Sequence, residues 1–136
     1  MKRPPTDFEL LKTIWQRHKS DYAAEFPAKI AIPVDIRAVA EDLGVEQNSV
    51  FGRLYHHLDK EYGERPDEEG KRRFFFSPVV GPDMNCVNFP LLEAVLSALW
   101  QQHERDRRTY WTAIASLVIS AVAVMISVLV ATNVVG

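Results

Sequence analysis

The feature that most constrains this 136-residue chain is its C-terminal stretch. No charged side chain occurs in residues 109–136, and residues 111–131 are almost wholly Ala, Val, Ile, Leu, Ser and Met. A helix rising 1.5 Å per residue over that length covers roughly 30 Å, the hydrocarbon thickness of a bilayer. Its β-branched residues weaken a helix in water but are acceptable in lipid, where the backbone has no other way to satisfy its hydrogen bonds. The rest of the chain is too short to surround such a helix on every side, so the sequence predicts a transmembrane helix over residues 111–132. Arg105, Arg107 and Arg108 precede it, and only an uncharged tail, residues 133–136, follows. Positive charge is retained inside, and Tyr110 and Trp111 suit the headgroup level on that side. The expectation is a single-pass protein of the inner (cytoplasmic) membrane with its N-terminal domain in the cytoplasm and residues 106–110 as a basic and aromatic junction. The first five residues lack the apolar core of a secretory signal peptide, which leaves the C-terminal segment as the expected targeting element.

Within the apolar stretch, Ser116, Ser120, Ala123 and Ser127 recur at spacings of four, three and four, which keeps them in one narrow stripe. Small residues on one face let two helices approach and let hydroxyls bond across the gap, so the stripe is a candidate seam for homo-oligomerisation. Leu92, Leu96 and Trp100 are a second candidate contact, in the preceding domain. Ala and Ser as plain filler of a membrane helix is the other reading.

All 16 basic and 18 acidic residues lie at or before Arg108, and the net charge of −2 gives no bulk attraction to nucleic acid. The single cysteine, Cys86, cannot form an internal disulfide and fits a buried thiol in a reducing compartment. Thr6 and Glu9 have capping-box spacing, and Leu11, Ile14, Trp15 and His18 continue an apolar face at helical period. Residues 29–34 read as extended between Pro27 and Pro33. Asp35 then caps a second helix with Ile36, Val39, Ala40 and Leu43 on one side, ended by Gly44. A third helix carries Val50, Leu54 and Leu58 inward and stops at Gly63. After an acidic loop, residues 63–70, two runs at 72–80 and 85–89 flank the turn Gly81-Pro82-Asp83 and are expected to pair as a hairpin. Pro90 opens a last helix with Leu92, Val95, Leu96, Leu99 and Trp100 on one face.

The run Val39-Ala40-Glu41-Asp42-Leu43-Gly44-Val45, followed by Val50 and Leu54, resembles a helix-turn-helix. Ala40 permits a close crossing, Gly44 takes the turn, and Leu43, Val45, Val50 and Leu54 fill the wedge. With a helix and strand before it and a hairpin and helix after it, residues 6–105 resemble a winged-helix domain. The implied fold class is α+β, mainly helical: a three-helix core, a β-hairpin wing and a C-terminal helix within residues 1–105, then one transmembrane helix. The resemblance is to membrane-bound winged-helix regulators, without their external sensor domain. It implies a third helix in the DNA major groove, with Gln47, Asn48, Ser49, Arg53, His56 and Lys60 exposed toward the duplex and Lys71, Arg72 and Arg73 gripping its backbone from the first wing strand. This sequence departs from that pattern at Gly52 inside the third helix, at His57 where an apolar residue is usual, and in a hairpin tip without basic residues.

The four histidines and Cys86 lack the paired spacing of a zinc site, so no metal is expected; no cofactor motif, phosphate loop or nucleophile elbow occurs, and no enzyme is expected. Two functions remain open. One is a membrane-anchored regulator that binds duplex DNA, as a dimer. The other is a membrane-anchored adaptor whose domain binds a protein partner or itself. A weaker third is a membrane-active subunit whose span acts and whose soluble domain controls it. The charge of the third helix and wing separates the first two.

Overall fold

The computed structural model describes residues 3–135; Met1, Lys2 and Gly136, at the ends of the leader and tail read above, lie outside the described residues. The chain divides into two compact units, Met1–Ala98 and Leu99–Gly136. Mainly helical structure, a small three-stranded antiparallel sheet and one long apolar C-terminal helix make up the fold.

Helix α1, Asp7–Glu25, starts on a complete capping box: the Thr6 hydroxyl accepts from Glu9 N–H, and the Glu9 carboxylate accepts from Thr6 N–H. Leu10, Leu11, Ile14 and His18 face the core. His18 is a satisfied core histidine. Its Nε2 accepts from Asp35 N–H at 3.2 Å, which places the ring proton on Nδ1, 3.0 Å from Asp21 Oδ2. Strand β1, Ala31–Pro33, leads into helix α2, Ile36–Leu43, capped by the Asp35 carboxylate. Gly44 ends α2 at φ 68°, where Val45 N–H reaches back to Ala40 carbonyl and closes the helix end. Arg17 of α1 clasps Asp42 through two bonds of 3.0 Å.

Helix α3, Gln47–Gly52, continues through a π-helical segment, Arg53–Leu58, into α4, Asp59–Tyr62. Val50, Leu54 and Leu58, four apart, keep to one buried face of this stretch. In the π turn, Asp59 N–H bonds to Leu54 carbonyl, five residues back, and Leu54, Leu58 and Asp59 are all buried. This is the packing shift that His57 signalled.

Strands β2, Phe76–Val80, and β3, Asp83–Asn88, form the expected hairpin, and β1 pairs with the other edge of β3, giving the order β1-β3-β2. Val80 faces Asp83 across a two-residue turn whose Gly81 has φ 57°, the positive first position such hairpins require. The expected strand over 72–80 is corrected: residues 72–75 lie outside β2, because the Asp59 carboxylate takes the N–H groups of Phe75 and Phe76 at 2.9 and 3.1 Å. That segment is bound to the helix. Phe75, Phe76, Cys86 and Val87 are buried, and burial pushes the Cys86 thiol above its usual range.

Helix α5, Phe89–Val135, starts where Asn88 Oδ1 accepts from Leu91 N–H. Leu92 and Leu96 are buried among the core residues of the first unit. The expectation that they form a dimer contact is therefore corrected, since burial within one chain removes them from its surface. In the second unit, the helix is long and apolar enough to cross a membrane, and none of its most apolar window is buried.

Two glycines of the third helical stretch give opposite expectations. A Cβ at Gly63 would collide with the Asp59 carbonyl and lie 2.8 Å from Arg72 Nη2, whereas one at Gly52 meets nothing within 4 Å. Gly52 is helical at φ −60°. In urea unfolding of the micelle-solubilised chain, Gly52→Ala is expected to stabilise by about 0.5–1 kcal/mol, and Gly63→Ala to destabilise. The same sign for both would contradict this backbone geometry.

Candidate functional site

The residues assigned to a recognition surface divide into three groups. Gln47, Asn48 and Ser49 are brought together on the exposed first turn of α3. Charges of both signs accompany them, since Arg37, Glu41 and Glu46 line the same shallow surface as Gln47 and Asn48, and Arg37 donates to Glu41 at 3.4 Å. His56 and Lys60 are exposed further along, and His56 stands edge-on to the Tyr55 ring at 4.8 Å.

The second group is engaged by carboxylates of its own chain. Arg53 Nη1 donates to Pro5 carbonyl at 2.7 Å, and its Nη2 donates to Asp7 Oδ1. Arg53 thus ties the start of α1 and its leader to the π turn. Burial works to raise the Asp7 carboxyl, but hydrogen bonds and charges from Arg53 and His57 outweigh it and hold the carboxyl below its usual range. Arg72 Nη2 reaches both oxygens of the buried Asp59 at 2.6 Å. Each guanidinium already has an anion, and a phosphate would have to compete with it.

The third group lies in the connection between α4 and β2 rather than on a wing strand. Arg73 approaches Glu64 at 3.8 Å, an exposed and weak pair. Lys71 is exposed, and its N–H donates to Asp67 Oδ1 at 2.8 Å within the acidic loop. The basic run therefore adjoins carboxylates. The hairpin that would serve as a wing exposes Val79 and Met84, which face each other across the strands.

Two concave surfaces flank this helix. One, of about 810 Å³, is lined by Pro4, Pro5, Val45, Ser49, Gly52 and Arg53, among others. The other, of about 540 Å³, lies between the helix and β2, with Tyr55, His56, Lys60, Arg72, Phe74 and Pro78 on its walls. Tyr55 stacks on Phe51 at 5.6 Å, and Phe51 meets the buried Phe76 edge-on, so this exposed aromatic has a rigid base.

Three side chains that shape this surface were not singled out by the sequence. Tyr55 carried an aromatic signal at i+4 from Phe51 that was available. Asp7 and Asp59, the anions that engage the arginines, carried none, because their partners are 46 and 13 residues away. Asp7 also meets His57 and Glu61, and the three could hold a metal ion. In the second unit, Ser116, Ser120, Ala123 and Ser127 are all exposed, and the Ser127 hydroxyl donates to Ala123 carbonyl of its own helix at 3.0 Å.

Compared with known proteins, the chain matches no protein-family model, no curated protein and no solved structure.

A phosphate-gripping arginine is neutral for stability, whereas an internal clasp is not. Arg53→Ala should lower unfolding stability by roughly 2 kcal/mol, because it leaves Asp7 and Pro5 carbonyl without their charged donor. Lys60→Ala should change it by less than about 0.5 kcal/mol. Equal, negligible effects in urea denaturation would return Arg53 to the list of surface contacts.

Proposed function

We propose that the chain is a membrane-anchored adaptor: a winged-helix-like domain on the cytoplasmic face that docks a protein partner, held by one transmembrane helix over residues 111–132. The observation that carries this reading is the engagement of Arg53 and Arg72, two of the three arginines assigned to the duplex, by carboxylates of their own chain. Without them, the electrostatic attraction that dominates DNA affinity rests on Lys60, Lys71 and Arg73 beside Glu61, Glu64 and Asp67. Exposed Tyr55, Val79 and Met84 instead offer the aromatic and apolar anchors typical of protein interfaces.

Gly52 adds support from energetics. It weakens the helix by about 1 kcal/mol relative to Ala, and its open surroundings supply no reason within the fold. A partner backbone approaching the larger groove supplies one. The uncharged small-residue stripe Ser116, Ser120, Ala123 and Ser127 supports self-association of the span, and Arg105, Arg107 and Arg108 support the cytoplasmic orientation.

A second reading, a membrane-tethered DNA-binding regulator, is favoured by one observation. Gln47, Asn48 and Ser49 are exposed and adjacent at the start of α3, and amide side chains pair bidentately with adenine.

One experiment separates the two. A photoreactive amino acid at Asn48 or at Tyr55, activated in intact cells after protease treatment from outside, should give a discrete protein adduct that protease leaves intact. The purified chain in micelles should not bind duplex at low salt. Salt-dependent duplex binding that weakens on Gln47→Ala or Asn48→Ala would reverse the choice of partner, and loss of the domain to external protease would reverse the orientation.

A further inference from the structure

The first turn of α1 and the C-terminal half of the third helical stretch bring together three side chains that the clasp around Arg53 does not fully use. His57 Nε2 lies 3.2 Å from Asp7 Oδ2 and 3.3 Å from Glu61 Oε2. One donor atom from each of the three residues lies within 4.8 Å of the other two. We propose that Asp7, His57 and Glu61 form a binding site for a divalent first-row transition ion of the Zn²⁺ type.

The donor set suits that class: one imidazole nitrogen and two carboxylate oxygens are ligands Zn²⁺ takes at about 2.0–2.2 Å. Around an ion with ligands at that distance, the corners of a tetrahedron are about 3.3–3.5 Å apart. The two separations from His57 Nε2 are close to those of a loaded site, and the two carboxylate oxygens, within 4.8 Å of each other, would draw together around the ion. An imidazole donor disfavours Ca²⁺ and Mg²⁺, which take oxygen ligands.

The backbone holds this geometry. His57 and Glu61 are four apart on one helical stretch, so their spacing is set by the helix, and the capped first turn of α1 presents Asp7. The other Asp7 oxygen, Oδ1, accepts from Arg53, which orients the carboxylate and leaves Oδ2 directed at His57. Two carboxylates against one guanidinium give the site an excess of negative charge toward a dication that displaces the imidazole proton. About half of the His57 and Glu61 side-chain surfaces is open to solvent, so the ion can enter and water can complete its coordination. Bound there, the ion joins α1 to the helix across the same seam as Arg53, and binding the folded state alone stabilises it by mass action.

The competing account is a protonated His57 bridging two carboxylates as an ordinary ion pair, in which case Zn²⁺ adds nothing. Calorimetric titration of the full chain in micelles with ZnCl₂, paired with thermal unfolding, distinguishes them. The expected result is one Zn²⁺ per chain and a Tm that rises with Zn²⁺ and falls back on chelation. Glu61→Gln and His57→Gln should each weaken binding at least about tenfold and abolish the rise in Tm, while the neighbouring His56→Gln keeps both. Glu61 is half exposed, so its variant reports even if His57→Gln fails to fold. The absence of one-to-one binding, or binding unchanged in Glu61→Gln, would overturn the site.

Discussion

The fold of the first unit depends on the Asp59 carboxylate. It sits almost fully buried at the end of the π turn and accepts from Arg72 and from the backbone N–H groups of Phe75 and Phe76. A buried carboxylate without partners is costly, and this one gathers three residues of the next segment around itself. In doing so it ties the segment before β2 to the helix and engages the Arg72 guanidinium, whose side chain stays about a third exposed, and a Cβ at the nearby Gly63 would strike the Asp59 backbone carbonyl. The π turn is part of the same arrangement, because the widened hydrogen bond from Asp59 N–H to Leu54 brings Leu54, Leu58 and Asp59 to the interior together.

The consequence for function runs through charge. A chain with nearly balanced charge has few cations available for a partner, and this domain engages two arginines internally, at Asp7 and at Asp59. What remains on the third helical stretch and hairpin is uncharged amide at the start, an aromatic at Tyr55, apolar side chains at Val79 and Met84, and a single lysine, Lys60, beside Glu61. Such a surface suits a protein partner better than a polyanion, and the proposed membrane anchor would raise the effective concentration of partners that share it.

The legible parts of the sequence were those set by neighbours. The capping box at Thr6 and Glu9, the αL stop at Gly44, the hairpin turn at Gly81 and the apolar C-terminal helix all follow from local chemistry, and the structure has each of them. The departure at His57 was visible as a broken period, though its resolution by a π turn was not, because that depends on what Asp59 binds. Strand boundaries near residue 72 were misread for the same reason: Phe74, Phe75 and Phe76 look like a strand until the competing acceptor is known. Arg53 and Arg72 looked like surface cations because their partners, Asp7 and Asp59, are assembled only by the tertiary fold. The burial of Leu92 and Leu96 was legible as an apolar face, but whether that face met its own core or another chain was not.

The central claim, that these arginines belong to the fold rather than to a ligand, is tested most directly by a double-mutant cycle on Asp59 and Arg72. Stabilities of the parent chain, Asp59→Asn, Arg72→Gln and the double variant, measured by urea unfolding in micelles, isolate the pairwise coupling. A charge-assisted pair whose carboxylate is buried and whose guanidinium is partly exposed should give a coupling of at least about 1 kcal/mol. A coupling indistinguishable from zero, with Arg72→Gln neutral by itself, would mean that Arg72 is available at the surface and would contradict the account.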